Sequence, residues 1–226
     1  MPTREQSGPV SPFAYRVDRD SDRKLKKMAV LREAAAQFCE HGYAATQMSE
    51  VARRLGVTKP TIYYYFKNKE DVLVACFETG FELFQDALTA EPLGTRNGAD
   101  QLASALCRYG ELVTQDFGRC TVRIHAADLG ADGRARIAAS RRRFDVQVRR
   151  LIEIAVADGS LPACEPKLAA FTVLGSLNWL GHWYKEGLAL SREEAARQVV
   201  EQLFRGLGAQ VAAPAKRPPS GAQAEK

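Results

Sequence analysis

The segment TKPTIYYYFKNK, residues 58–69, gathers cations, hydroxyls and aromatic rings at a spacing that can do recognition chemistry. Successive helical residues step by about 100°. Ile62 and Phe66 therefore fall together, as buried anchors. Pro60, Thr61, Tyr64 and Tyr65 point largely away from them, with Lys59 and Tyr63 on the flanks. Three consecutive tyrosines cannot all face inward, and an isolated soluble helix gains nothing by exposing them. Such a face suits the major groove of DNA, where a tyrosine ring meets a thymine methyl and its hydroxyl reaches a phosphate. Lys67 and Lys69 follow directly and are placed to neutralise phosphates.

That face needs a scaffold, and the preceding residues supply one. Met48, Val51, Ala52 and Leu55 mark one side of a short helix over Met48–Leu55. Thr46 is expected to cap its free amides. Gly56 follows where a helix often ends on a left-handed residue. Val57 fills the corner, and Thr58 suits the N-cap of the second helix, Lys59–Phe66. Pro60 falls in that helix's first turn, where a missing N–H costs little. An earlier helix, Arg23 to His41, carries an apolar stripe at Leu25, Met28, Ala29, Ala35, Ala36 and Phe38. Lys24, Lys26 and Lys27 crowd its start, where a nearby phosphate or solvent offsets the unfavourable dipole.

The stretch FCEHGYAATQMSEVARRLGVTKPTIYYYFKNKEDVL, residues 38–73, resembles the DNA-binding domain of the TetR (tetracycline-repressor-like) family of bacterial regulators. Phe38, Gly42-Tyr43, Thr46, Val51-Ala52, Leu55 to Thr58, Thr61 to Phe66, Asn68 to Glu70 and Leu73 carry the likeness, without a gap. The resemblance implies contacts residue by residue. Thr46 and Gln47 would sit near phosphates, and Thr58 at the start of the reading helix. Lys59, Pro60, Thr61, Tyr63 and Tyr64 become base or groove contacts, and Tyr65, Lys67 and Lys69 backbone contacts. It also implies an all-α fold, a three-helix head at residues 21–70 and a larger ligand-binding and dimerisation body at 71–210.

Charge agrees with that division. Residues 1–70 hold 13 Lys/Arg against 8 Asp/Glu, and the remainder is balanced at 19 against 19, which accounts for the net charge of +5. The positive excess therefore lies with the reading head, as an electrostatic footprint on DNA. No apolar run reaches the roughly 18–20 residues of a membrane span, and residues 1–20 lack the apolar core of a secretory signal. A cytoplasmic location is expected. Cys39, Cys76, Cys107, Cys120 and Cys164 are dispersed, without metal spacing to His41, His125 or His182, so reduced thiols are expected rather than a metal site. A Gly-rich phosphate loop, HExxH and GxSxG are all missing. No enzymatic activity and no cofactor are expected.

Beyond the head, the pattern predicts helices from Lys69 to near Ala90, Ala99 to near Phe117, Thr121 to Leu129, Arg134 to near Asp158, Glu165 to Glu186 and Arg192 to Leu207. Residues 1–20 and 211–226 have the composition of a disordered arm and tail. Phe171, Leu174, Gly175, Asn178, Trp179, His182 and Trp183 share a stripe, as do Val199, Val200, Leu203, Phe204 and Leu207. Two such helices can pair with their symmetry mates in a four-helix bundle, which resembles the family's dimer interface. A homodimer on double-stranded DNA then calls for a palindromic operator with half-sites about one helical turn, or a multiple, apart.

The family resemblance also implies a small-molecule effector that releases a repressor. Candidate pocket residues are Phe81, Phe84, Tyr109, Phe117, Phe144, Trp179, Trp183 and Tyr184, with Arg123, Asn178 and His182 as polar members. Asn178-Trp179, Trp183-Tyr184, Gly187, Ser191 and Gly206-Leu207 are similar to the C-terminal helices of members that sense acyl-coenzyme A thioesters. Arg119, Arg123 and Arg141 to Arg143 would then meet the coenzyme's phosphates. A flat aromatic compound, with control of an efflux or detoxification gene, is the alternative effector. A ligand-independent architectural DNA-binding protein is the alternative of another class.

Overall fold

The structure is a computed structural model and describes residues 19–90, 97–125, 127 and 129–208. The expected arm and tail fall outside these residues, except that Arg19 and Asp20 open the first helix. Among the described residues there are nine α-helices and no strand: α1 (Arg19–His41), α2 (Met48–Arg54), α3 (Lys59–Tyr63), α4 (Lys69–Thr89), α5 (Gly98–Leu112), α6 (Asp116–Arg123), α7 (Ala131–Ala157), α8 (Pro166–Trp183) and α9 (Arg192–Gly208).

The head forms because short helices pool their apolar faces. Val30, Leu31, Ala34 and Phe38 of α1 meet Met48, Val51 and Ala52 of α2, and Ile62 with Phe66 closes the cluster from α3. Each large side chain so buried contributes about 1.5–3 kcal/mol, which helices of seven and five residues need. Leu25 and Ala36, expected in the stripe of α1, are exposed instead. The buried stripe of α1 runs through Val30 and Ala34, because α2, α4 and α6 all pack on that side.

Helix α4 ties the head to the rest. Val72, Leu73, Cys76, Phe77, Phe81, Phe84 and Leu88 are all buried along it. It packs against α1, α5, α6 and α7. Helix α5 lies on α9, and α8 lies on α5, α6, α7 and α9.

Two expected helices divide differently. The segment expected as one helix from Ala99 to Phe117 breaks at Leu112, and α6 starts afresh at Asp116. The Thr114 hydroxyl bonds the Glu111 carbonyl and closes α5. Gly118 then lets α6 fold back on that end, since a Cβ there would lie 1.9 Å from the Leu112 carbonyl oxygen. The helix expected over Thr121–Leu129 stops at Arg123, where Ile124 turns extended at φ −93° and ψ 132°. Ala126 and Asp128 lie outside the described residues. The GADG sequence does not end a helix. It starts α7, with Gly130 as N-cap, because the Glu70 carboxylate of α4 accepts the Gly130 amide at 2.8 Å.

Candidate functional site

The turn between α2 and α3 is set by local chemistry. Gly56 takes φ +68°. Its amide bonds the Arg53 carbonyl at 3.1 Å, and that of Val57 bonds Ala52 at 3.0 Å. This paired closure satisfies the last carbonyls of α2 and fixes the exit of the chain. Thr58 is the N-cap of α3 and Pro60 lies in its first turn, as the sequence predicts. The Thr58 side chain does not cap; its hydroxyl pairs with that of Thr61 at 2.9 Å. Helix α3 proper ends at Tyr63, but the amides of Tyr64 and Phe66 still bond the Pro60 and Ile62 carbonyls, which carries Phe66 inward.

The reading face follows. Ile62 and Phe66 are buried, and Tyr64 is 71% exposed. Tyr63 and Tyr65 are half-buried against the edge of the core. Lys59, Pro60 and Lys67 are exposed and Thr61 is half-buried. Lys69 is drawn in: its ammonium lies 4.5 Å from the Tyr43 ring centroid and donates to the Ala44 carbonyl at 3.1 Å. Burial lowers its pKa. Gln47, exposed, is the N-cap of α2 without a side-chain bond. Thr46 does not cap α2, contrary to expectation. It is buried, and its hydroxyl donates to the Gln37 and Gly42 carbonyls, which pins the α1–α2 corner. Two cations of α1 join this face. Arg23 lies 5.9 Å from the Tyr64 ring centroid and Lys27 5.5 Å from that of Phe66. Only tertiary packing places Arg23 there; its position in sequence carries no such signal.

A cavity of about 600 Å³ opens among α4, α5, α6, α7 and α8. Phe81, Phe84, Tyr109 and Phe144 form one wall, with ring centroids 4.7 Å apart for Phe84–Tyr109 and 5.1 Å for Tyr109–Phe144. Asn178 faces them from α8, and its Oδ1 accepts the Tyr109 hydroxyl. Arg134, Arg141 and Arg142 of α7 also line the space, with Asp145 as the one carboxylate among its described lining. Asp145 is already paired with Arg149. The cavity lining therefore combines an aromatic cluster with cations.

Not every expected pocket residue reaches it. Phe117 is buried in the core away from the cavity. Arg123 lies with Arg119 in a separate groove beside Cys39 and Asp116. Arg143 bonds Ser140 along α7. Trp179, His182 and Trp183 sit on the outer side of α8, and Tyr184 is buried with its hydroxyl on the Leu190 carbonyl. The lining missed from the sequence, such as Ile137, Leu174 and Val122, is made of ordinary aliphatic positions that periodicity cannot separate from core.

Residues 30–76 match the family described as bacterial regulatory proteins, tetR family. Residues 95–207 match the tetracyclin repressor-like C-terminal domain. The chain belongs to the TetR family of bacterial regulators. It is 28% identical over 191 residues to the uncharacterized HTH-type transcriptional regulator YhgD of Bacillus subtilis (strain 168), covering 81% of this chain and 97% of that one. It is 30% identical over 100 residues to the fatty acid metabolism regulator protein of the same organism, covering 44% of this chain and 52% of that protein. Among solved structures, AibR in complex with isovaleryl coenzyme A and operator DNA superimposes with a TM-score of 0.70 at 28% identity, covering 79% of this chain and 97% of that one. PfmR from Thermus thermophilus, also of the TetR family, gives 0.71 at 25% identity, covering 79% and 98%.

As a TetR-family regulator the protein is a helix-turn-helix DNA-binding transcription factor whose partners are double-stranded DNA and a second copy of itself. The exterior of α8 fits that second role. Leu168, Trp179 and Trp183 are all exposed there, with Trp179 at 63%. Among the described residues no helix is long and apolar enough to cross a membrane. The Cys39 thiol, free like that of Cys120, is raised well above its usual range, first by the neighbouring Cys120 thiol and then by burial.

Proposed function

We propose that this regulator is a dimeric repressor released from a palindromic operator by an acyl-coenzyme A thioester. The observation that carries the reading is the joining, in one cavity, of a four-ring apolar wall to three arginines of α7. An effector with an apolar acyl group and several phosphates satisfies both sides. Among the described residues, Arg141 and Arg142 have no carboxylate partner and are available to an anion. The coenzyme A complex of AibR and the fatty acid regulator of Bacillus subtilis point the same way.

Helix α4 supplies the route from effector to DNA. It lines the cavity through Phe81 and Phe84 and begins at Lys69, directly after the reading helix. Glu70 holds the start of α7, and Glu78 pairs with Arg136 of α7 at 2.8 Å. An effector that parts α4 from α7 shifts the two heads off the spacing DNA requires. The shift is limited by the effector's differential affinity for the two states. In the DNA-bound state Lys59, Pro60, Thr61, Tyr63 and Tyr64 face the groove, and Gln47, Tyr65 and Lys67 face the backbone.

The test is titration of the full chain with a panel of acyl-coenzyme A thioesters, read by melting temperature and by operator binding. A rise in the first with loss of the second is expected; no change in either refutes the effector. The aromatic wall also favours a second reading, a flat uncharged aromatic effector controlling an efflux gene. In that case Arg141→Ala with Arg142→Ala leaves effector binding unchanged, whereas a thioester effector loses affinity.

A further inference from the structure

Among the described residues that line the cavity, Asn178 is the one carboxamide. Tyr109 opposite is buried at 3% exposure, so its phenolic proton needs an acceptor. Burial raises its pKa, against the pull of Arg141, which keeps the proton in place. Asn178 Oδ1 is the acceptor the structure gives that proton. The bond settles the orientation of the carboxamide, since the oxygen must face Tyr109 and the Nδ2 group must turn the other way. Among the described residues nothing accepts a hydrogen bond from Nδ2. Nor is that nitrogen sealed off, because it is absent from the buried polar atoms that lack a partner. Two N–H donors of a cavity-lining residue thus have no acceptor among the described residues.

A donor so placed costs little in the empty cavity, where water reaches it, and becomes selective once an apolar ligand excludes the water. The ligand must then offer an acceptor at that point or leave the donor unsatisfied. Resting on the effector reading above, we propose that Asn178 Nδ2, aimed by Tyr109, donates to the carbonyl oxygen of the effector's acyl group. The carbonyl of a thioester sits at the junction between its apolar acyl part and its anionic carrier. Asn178 lines the same cavity as the ring wall and the arginines of α7, and it touches that wall at Tyr109. The acyl group then lies on Phe84 and Phe144, and the carrier runs toward Arg141 and Arg142.

The experiment compares thioesters with thioethers that lack the carbonyl. Isovaleryl-coenzyme A is paired with S-isopentyl-coenzyme A, and benzoyl-coenzyme A with S-benzyl-coenzyme A, by calorimetric titration of the full chain. The native protein is expected to prefer the thioester of at least one pair about tenfold, the worth of a single hydrogen bond. Asn178→Leu is expected to abolish the preference, so that thioester and thioether bind alike. Tyr109→Phe, which frees the carboxamide to rotate, reduces the preference by about threefold and guards against misfolding of the first variant. Equal binding of thioester and thioether by the native protein overturns the role of Asn178 and leaves the effector class standing. Binding of neither member of either pair overturns the effector class, and the role of Asn178 with it.

Discussion

Replacing Tyr64 by alanine separates recognition from folding, because this ring does so little for the fold. It is 71% exposed and makes no hydrogen bond through its hydroxyl among the described residues. Its contacts are an edge-on approach to Tyr65 at 5.1 Å and the Arg23 guanidinium at 5.9 Å. At an exposed site each is worth about 0.5–1 kcal/mol. The melting temperature is therefore expected to fall by only a few degrees. A groove contact is worth about 1–3 kcal/mol for each head, so a dimer with two heads loses roughly 30-fold or more in operator affinity. Binding to an unrelated duplex should change little, since no charge is removed. Lys67→Ala gives the opposite pattern. It weakens both duplexes alike and shallows the slope of log K against log salt by about 0.9 for each head, near 1.8 for the dimer. Fluorescence anisotropy on both duplexes at several salt concentrations reads both effects. An unchanged ratio of operator to unrelated binding in Tyr64→Ala refutes the assignment of this face.

Four further outcomes follow from the structure. Gly56→Ala places a Cβ in open space but at φ +68°, which costs about 1–2 kcal/mol; thermal unfolding should show that loss, with operator affinity falling as the angle between α2 and α3 changes. Trp179→Arg, on the exposed side of α8, should give monomers in sedimentation at concentrations where the native protein is dimeric, without loss of helicity. Glu70→Ala removes the acceptor of the Gly130 amide and is expected to keep effector binding within about twofold while blunting effector-driven release from the operator. Glu50 provides the acid limb. Its bonds to Arg53 and Arg54 lower its carboxyl from 4.5 to about 2. The stabilisation it gives is in place above its unfolded value and is lost as pH falls toward 2, so Glu50→Gln should flatten the unfolding profile across that interval.

The head was legible because its determinants lie within a few residues of one another. Gly56 sits one position beyond Leu55, the C-cap of α2, and the 100° step alone separates Ile62 from Tyr64. What escaped the sequence depends on partners far along the chain. Thr46 looks like a cap, yet the Gln37 carbonyl, nine residues earlier, claims its hydroxyl. Gly130 looks like a stop, yet Glu70, sixty residues earlier, turns it into a start. The break between α5 and α6 rests on Gly118 meeting the Leu112 carbonyl, a contact that exists only once the chain has turned back.

The cavity shows the same limit within single helices. Phe81, Phe84, Phe117 and Phe144 are equally apolar and equally periodic, but Phe117 fills the core while the other three form a wall. Helix α8 carries the point furthest. Its residues Val173, Leu177 and Leu180 are buried, Leu174 and Asn178 line the cavity, and Leu168, Trp179 and Trp183 face outward. One helix thus has three faces in different surroundings: the protein's own core, the cavity and the exterior. Asn178 and Trp179 are neighbours in sequence and stand about 100° apart around the axis. If the cavity holds the proposed effector and the exterior of α8 meets a partner, pressure on Asn178 acts on the same helix that carries Trp179. On the proposed effector reading, binding in the cavity would be joined to the placement of the two heads through α8 as well as through α4, and a loosened dimer in Trp179→Arg should lower cooperativity on the operator and weaken the effector response together.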